Sequence, residues 1–270
     1  MTDKVAFITG ASRGIGAETA VALAKAGYRV AITARTLSEG ESHDNVGNIA
    51  PLPGSLEATA AAVRAVGGEA LCLRADILEE DSMVAAAEQA LAHFGRVDLL
   101  FNNAVYQGAG NQERLMDVTK EQLLAIYQGN VFTPLALIKA LLPAMEAAGG
   151  GTIINVSSLG SFVPGKGMAV YGATKAFLNY YSLALQDELA DTGIEVQALC
   201  PGFTRTEFHA PMEQGGFDRE RIPEQMWMSA DAVVSASLDA LGSARVLVVP
   251  GENNLGFAQF GLQQQLDNLK

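Results

Sequence analysis

Along this chain, short apolar runs alternate with longer stretches in which small and apolar residues recur at helical spacing. The runs "KVAFIT" (4–9), "YRVAITA" (28–34), "EALCLRAD" (69–76), "VDLLFNN" (97–103), "GTIINVSS" (151–158), "IEVQALC" (194–200) and "ARVLVVP" (244–250) predict seven strands. Helices are predicted between them over 14–27, 55–66, 79–94, 119–147, 170–191 and 229–241, with Pro134 and Pro143 marking kinks or breaks in the longest. The strands are apolar nearly throughout rather than alternating, as in a parallel sheet covered on both faces. The pattern predicts an α/β fold, a doubly wound parallel sheet with helices on both faces, in one domain spanning 1–270. Two long irregular segments interrupt it, 36–53 and 203–228, and loops of that length in a compact domain are often functional. The tail 256–270 carries Phe257, Phe260, Leu262, Leu266 and Leu269, a pattern expected to form a short helix against a partner subunit.

Composition narrows the function classes. Hydrophobic residues make up 49% and charged residues 18%, enough core material to exclude a disordered chain. The formal net charge of −12 repels phosphate backbones, so no nucleic-acid partner is expected, and docking of an acidic carrier protein is weakly disfavoured. No uninterrupted apolar run reaches the roughly 18 residues of a membrane span. "MTDKVAFITG" lacks the order of a signal peptide, so a cytoplasmic location with no membrane partner is expected. Cys72 and Cys200 lie in apolar strand-like runs and read as buried reduced thiols. His43, His93 and His209 are far apart and read as surface or loop residues, with no metal site.

Candidate chemistry begins at "TGASRGIG" (9–16), directly after the first strand and opening the first helix. Gly10, Gly14 and Gly16 serve a tight turn, close approach of backbone to a pyrophosphate, and packing of helix on sheet. The helix N-terminus, with Ser12, Arg13 and Ile15 around it, offers N–H groups to phosphates. The second strand ends in Ala34 and Arg35, where an acidic residue would select NAD. Two guanidiniums, Arg13 and Arg35, suit a 2′-phosphate, so NADP(H) is expected over NAD(H). Further along, Tyr171 and Lys175 in "YGATK" share one helix face, which fits either an ordinary amphipathic helix or a proton donor with a cation placed to lower its pKa.

"TGASRGIG", "NNA" (102–104), "NVSS" (155–158), "YGATK" (171–175) and "PGFTRT" (201–206), in that order and spacing, resemble the single-domain branch of the short-chain dehydrogenase/reductase family. The resemblance covers about residues 3–250. It implies a Rossmann-type sheet of about seven strands, nicotinamide-dependent chemistry at a carbonyl or alcohol, and a homodimer or homotetramer. It also implies a catalytic set of Asn130, Ser158, Tyr171 and Lys175, with Ser158 preferred to Ser157, Lys175 on the nicotinamide ribose and Asn130 positioning a relay water. Cofactor contacts carried over the same way are Asp76 and Ile77 at the adenine, the segment Asn102, Asn103 and Ala104, and Pro201, Gly202, Thr204 and Thr206 near the nicotinamide and phosphates. The family usually reads NNAG; here Val105 replaces the glycine, which is expected to narrow the cleft or shift the next loop.

Within 203–228, Phe203, Phe208, Met212, Phe217, Met226, Trp227 and Met228 resemble a substrate lid facing Phe162, Val163 and Met168, whereas Glu207, Glu213, Asp218, Arg219, Glu220 and Arg221 read as solvated. An apolar wall favours bulky or aromatic carbonyl compounds. Three activities share these features: an NADPH-dependent carbonyl reductase, a 3-oxoacyl-carrier-protein reductase, and a nucleotide-sensing protein without turnover. The last usually lacks the tyrosine or lysine that this chain keeps.

Overall fold

The computed structural model describes residues 4–41, 53–106, 108, 113–209 and 218–270. Its strands are β1 (Val5–Thr9), β2 (Arg29–Ala34), β3 (Ala70–Arg74), β4 (Leu99–Asn102), β5 (Gly151–Val156), β6 (Ile194–Leu199), β7 (Phe203–Arg205), β8 (Trp227–Ser229) and β9 (Leu247–Val248). Seven of them form one parallel sheet in the order β3-β2-β1-β4-β5-β6-β9, the Rossmann-like arrangement expected from the alternation of strands and helices. The helices are α1 (Gly14–Lys25), α2 (Leu56–Ala65), α3 (Glu80–Phe94), α4 (Lys120–Tyr127), α5 (Thr133–Ala147), α6 (Ala169–Glu188), α7 (Ala230–Asp239) and α8 (Glu252–Asp267).

Because side chains alternate along a strand, each strand feeds two cores. Val5, Phe7, Leu100, Ile153 and Val196 pack against α3, α5 and α6. Ala6, Ile8, Ile32, Phe101 and Ile154 pack against α1, α2 and α7 on the other face. Burying side chains of this size stabilises by about 1.5–3 kcal/mol each. Local signals set the helix ends. Ser55 Oγ accepts from the Ala58 N–H at 3.1 Å to cap α2, and Thr119 with Gln122 closes a capping box on α4. The strand order reverses between β1 and β4, and the loops leaving their carboxyl ends open the crevice where ligands bind such sheets.

Several expectations change. The long helix over 119–147 is two helices joined by a π-helical turn, Gln128–Phe132, with Pro134 just after it and Pro143 inside α5 without ending it. By length and composition Lys120–Ala147 is the one helix among the described residues able to cross a membrane; its Leu137, Ile138, Leu141 and Met145 face the sheet core. The last strand is only two residues long, and the tail helix α8 is longer than expected, starting at Glu252. β7 and β8 pair in parallel as a small second sheet, bringing Phe203 opposite Trp227. Cys200 is buried but Cys72 is only partly so, because β3 is the sheet edge; both are free thiols. His93 is exposed, His43 lies outside the described residues, and His209 is buried rather than on the surface.

Candidate active site

The loops at the carboxyl ends of β1, β2, β3, β4, β5 and β6 surround a cavity of about 560 Å³. The glycine loop forms one part of its wall. Gly10 turns the chain at φ +64°, and a Cβ there would lie 2.9 Å from Ala104 Cα. Gly16 does not reach the cavity; a Cβ on it would lie 2.4 Å from the Gly10 carbonyl, so its role is to let α1 start tight against the turn. Arg13 at the head of α1 gives no side-chain cap, and the first turn holds no acid, so the α1 N-terminus is a suitable phosphate site. Gly10, Ser12, Arg13, Gly14 and Ile15 all line the cavity. This loop is tied down from β4. The Asn103 and Ala104 N–H groups each donate to Thr9 Oγ1 at 2.9 Å, and Asn103 Nδ2 donates to the Thr9 and Gly10 carbonyls.

Arg35, Asp76 and Ile77 line the cavity beyond the glycine loop, with Arg35 Nη1 3.8 Å from Asp76 Oδ2. Asp76 Oδ1 also accepts from the Leu78 N–H at 2.9 Å. Arg13 donates through Nε to the Pro53 carbonyl at 2.8 Å and through Nη2 to the Gly54 carbonyl at 3.1 Å. Glu41 also lines this end and carried no sequence signal, since it sits in an irregular polar loop. Its carboxylate accepts from the Leu37 and Ser38 N–H groups and from Arg74 Nη2 at 2.7 Å.

At the other end, Ser158, Tyr171 and Lys175 share the cavity wall. Ser158 follows β5, and Tyr171 and Lys175 stand one turn apart in α6, whose buried face includes both. The Ser158 side chain stands next to the Tyr171 phenol and favours its ionised form. Burial nevertheless pushes the phenol up to about 12, with Ser158 opposing. Lys175 does not lower it as its spacing suggested. Its Nζ lies 5.8 Å from the Tyr171 ring centroid and donates to the Val156 carbonyl at 2.8 Å, and burial brings the ammonium down to about 8. Ser157 also lines the cavity, but its hydroxyl donates to the Lys175 carbonyl at 2.9 Å, anchoring α6 to β5.

Asn130 is not in the cavity wall. It is buried at the centre of the π turn, where its Oδ1 accepts from the Tyr106 N–H at 2.8 Å and its Nδ2 donates to Thr174 Oγ1 at 3.5 Å. Thr174 in turn donates to the Tyr171 carbonyl at 2.8 Å. Asn102 is also away from the cavity, bonding Asn155 Oδ1 at 3.0 Å inside the sheet, whereas Asn103, Ala104 and Val105 line it.

The segment after β6 lines the cavity with Pro201, Gly202, Thr204 and Thr206; a Cβ on Gly14 would lie 3.3 Å from Thr206 Cγ2. Of the described lid residues, Phe203 and Phe208 face the cavity along with Val163 and Met168. Met226 and Met228 instead pack the lid on the body, Trp227 packs against Phe203 within the lid, and Phe162 turns into the core beside Ala198 and Cys200. Met212, Glu213 and Phe217 lie outside the described residues. Asp218, Glu220 and Arg221 are exposed, but Arg219 is half-buried, its guanidinium 4.9 Å from the Trp227 ring centroid. Glu207 is half-buried in the cavity wall rather than solvated. His209 lines the same wall, its ring centroid 5.2 Å from Trp227 and 5.1 Å from Phe208, and burial, with Arg219 nearby, lowers its pKa to about 4.

The family model for short chain dehydrogenase matches residues 4–215. The chain belongs to the short-chain dehydrogenase/reductase family. Its members are oxidoreductases that act between alcohols and carbonyls. An uncharacterized oxidoreductase of Mycobacterium tuberculosis is 34% identical over 88% of this chain and 86% of its own. A human 3-oxoacyl-[acyl-carrier-protein] reductase is 30% identical over 92% of this chain and 97% of its own. Among solved structures, a short-chain dehydrogenase from Sphingobium yanoikuyae in complex with NADPH matches with a TM-score of 0.76 and 31% identity over 98% of this chain and 95% of that one.

Proposed function

We propose that this short-chain dehydrogenase/reductase is an NADPH-dependent carbonyl reductase for apolar or aromatic ketones, with Ser158, Tyr171 and Lys175 as its catalytic side chains. The observation that carries the reading is the joint placement of those three groups at one end of a cavity whose other end is the glycine loop with Arg13 and Arg35. NADP(H) fits the residues present. The uncapped α1 N-terminus suits the pyrophosphate, the two guanidiniums suit a 2′-phosphate, and Asp76 with Ile77 suits the adenine. When bound, the cofactor supplies or takes the hydride.

The chain's own groups then handle oxygen and proton. Hydride arrival turns a carbonyl into an alkoxide that needs a proton. The Ser158 hydroxyl donates a hydrogen bond to the oxygen as negative charge develops there. Tyr171, kept protonated by burial, gives its phenolic proton, and Lys175 would hold the nicotinamide ribose. Asn130 acts as a positioning residue, holding the backbone before Tyr106 and the Tyr171–Thr174 turn in register. The wall of Val163, Met168 and Phe208, narrowed by Val105, supports apolar substituents on the ketone. A homo-oligomer and a cytosolic location with reduced thiols belong to the same reading. A second reading, reduction of a 3-oxoacyl group on a carrier protein, is favoured by the human relative but opposed by the charge of −12.

The test is consumption of NADPH or NADH by the purified protein with a panel of aliphatic and aryl ketones and an acetoacetyl-carrier-protein thioester. The reading expects turnover of apolar ketones with kcat/KM higher for NADPH. A preference for NADH would refute the assignment of Arg13 and Arg35. Turnover of the thioester alone would favour the second reading.

A further inference from the structure

The C-terminal helix α8 lies beyond residues 4–215 that the family model matches, and nothing in the proposed chemistry uses it. It nevertheless packs against two active-site loops. Asn254, buried near its start, donates to the Pro250 carbonyl at 3.0 Å, and a Cβ on Gly202 would lie 2.5 Å from Asn254 Oδ1. One turn on, Ala258 is buried against Leu159, Phe162 and Cys200. Next, Gly261 lets the helix backbone meet the loop after Ser158, where a Cβ would lie 2.4 Å from the Phe162 carbonyl. Finally Gln265 Nε2 donates to that same carbonyl at 2.9 Å. Residues 254, 258, 261 and 265 therefore form one stripe that seats α8 on the loops carrying Gly202 and Ser158.

That seating fixes Phe257. Its ring lines the cavity together with Val163, Met168, Tyr171 and Phe208, and the Phe260 ring stacks beside it at 6.4 Å and 17°. It stays 42% exposed, so it sits at the rim rather than the floor. Leu262, Leu266 and Leu269 lie on a different, outward face and do not line the cavity.

We infer that Phe257 is a specificity-setting residue, contacting the aryl or branched apolar substituent of the ketone from a helix outside the matched family body. The inference rests on the carbonyl-reductase reading of the same cavity. An apolar substituent seated on this ring loses contact when the ring is removed, and one small apolar change in such a wall shifts selectivity by about tenfold or more. A compact ketone that does not reach the rim is indifferent.

The experiment compares kcat/KM for acetophenone and butan-2-one in the full-length protein and in Phe257→Ala, with NADPH Kd measured for both. The expected result is a rise in KM that lowers kcat/KM for acetophenone by about tenfold, little change for butan-2-one, and an unaltered NADPH Kd. Phe257→Leu should recover part of the loss, and Leu266→Ala on the outward face should leave the ratio where it was. Equal losses with both ketones, accompanied by weaker NADPH binding, would show that the ring only holds α8 in place. An unchanged ratio would remove the substrate contact altogether. Inactivity of the unaltered protein toward both ketones would overturn the reductase reading, an outcome distinct from a selectivity that fails to move.

Discussion

At the residue scale, the same chemistry is tuned by burial more than by neighbouring charge. Tyr171 and Lys175 are each pushed toward their neutral forms, the phenol up to about 12 and the ammonium down to about 8. Spacing in the sequence placed both on one helix face, but it carried no information on depth or on the Val156 carbonyl that accepts a hydrogen bond from Lys175. His209 shows the same limit. Read alone it is a loop histidine; folded, it is enclosed by Phe203, Phe208 and Trp227. Its pKa falls from the ordinary 6.5 to about 4, so the folded state disfavours the proton that the unfolded chain accepts. The stabilising difference is complete above about pH 6.5 and is lost as pH falls toward 4, amounting to about 3 kcal/mol at most. Urea unfolding between pH 7 and 4 should therefore show a larger loss of stability in the unaltered protein than in His209→Gln. Parallel pH profiles for the two would contradict the burial account.

At the element scale, strand and helix identities were legible because buried parallel strands are continuous apolar runs and the helices between them keep their period. Less legible was the π turn at Gln128–Phe132, since one extra residue in a helical turn barely disturbs an apolar pattern. The β7–β8 pair was missed for a different reason: its three-residue strands gain their partners only when the lid folds back over 20 residues. The π turn has a definite use. It brings Asn130 to the Tyr106 N–H, a buried donor that bonds it at 2.8 Å. Asn130→Ala leaves that donor unsatisfied and should cost about 1–3 kcal/mol in urea unfolding, with kcat falling as the loop and the Tyr171 turn lose register. An unchanged unfolding midpoint would show that the bond is dispensable.

At the scale of the whole molecule, the parallel sheet puts the glycine loop, the Ser158 loop and the Gly202 loop at its carboxyl end, so motifs spread over nearly 200 residues line one cavity. The fold carries apolar surface beyond that cavity. Leu124, Tyr127, Phe132, Phe177, Tyr180 and Leu183 are exposed on the π-turn and α6 side, Leu255, Leu262 and Leu266 on α8, and Leu269 just beyond it. Surfaces of this kind mark association, and the proposed homo-oligomer predicts a light-scattering mass of two or four chains that drops on Tyr180→Glu with Phe177→Glu. A monomer mass for the unaltered protein would rule the assembly out. The central claim, proton transfer from Tyr171 to a ketone oxygen in an NADPH-dependent reduction, is tested most directly by Tyr171→Phe. The account predicts that turnover with an apolar ketone is almost abolished while NADPH Kd is nearly unchanged. Turnover at the level of the unaltered protein would contradict it.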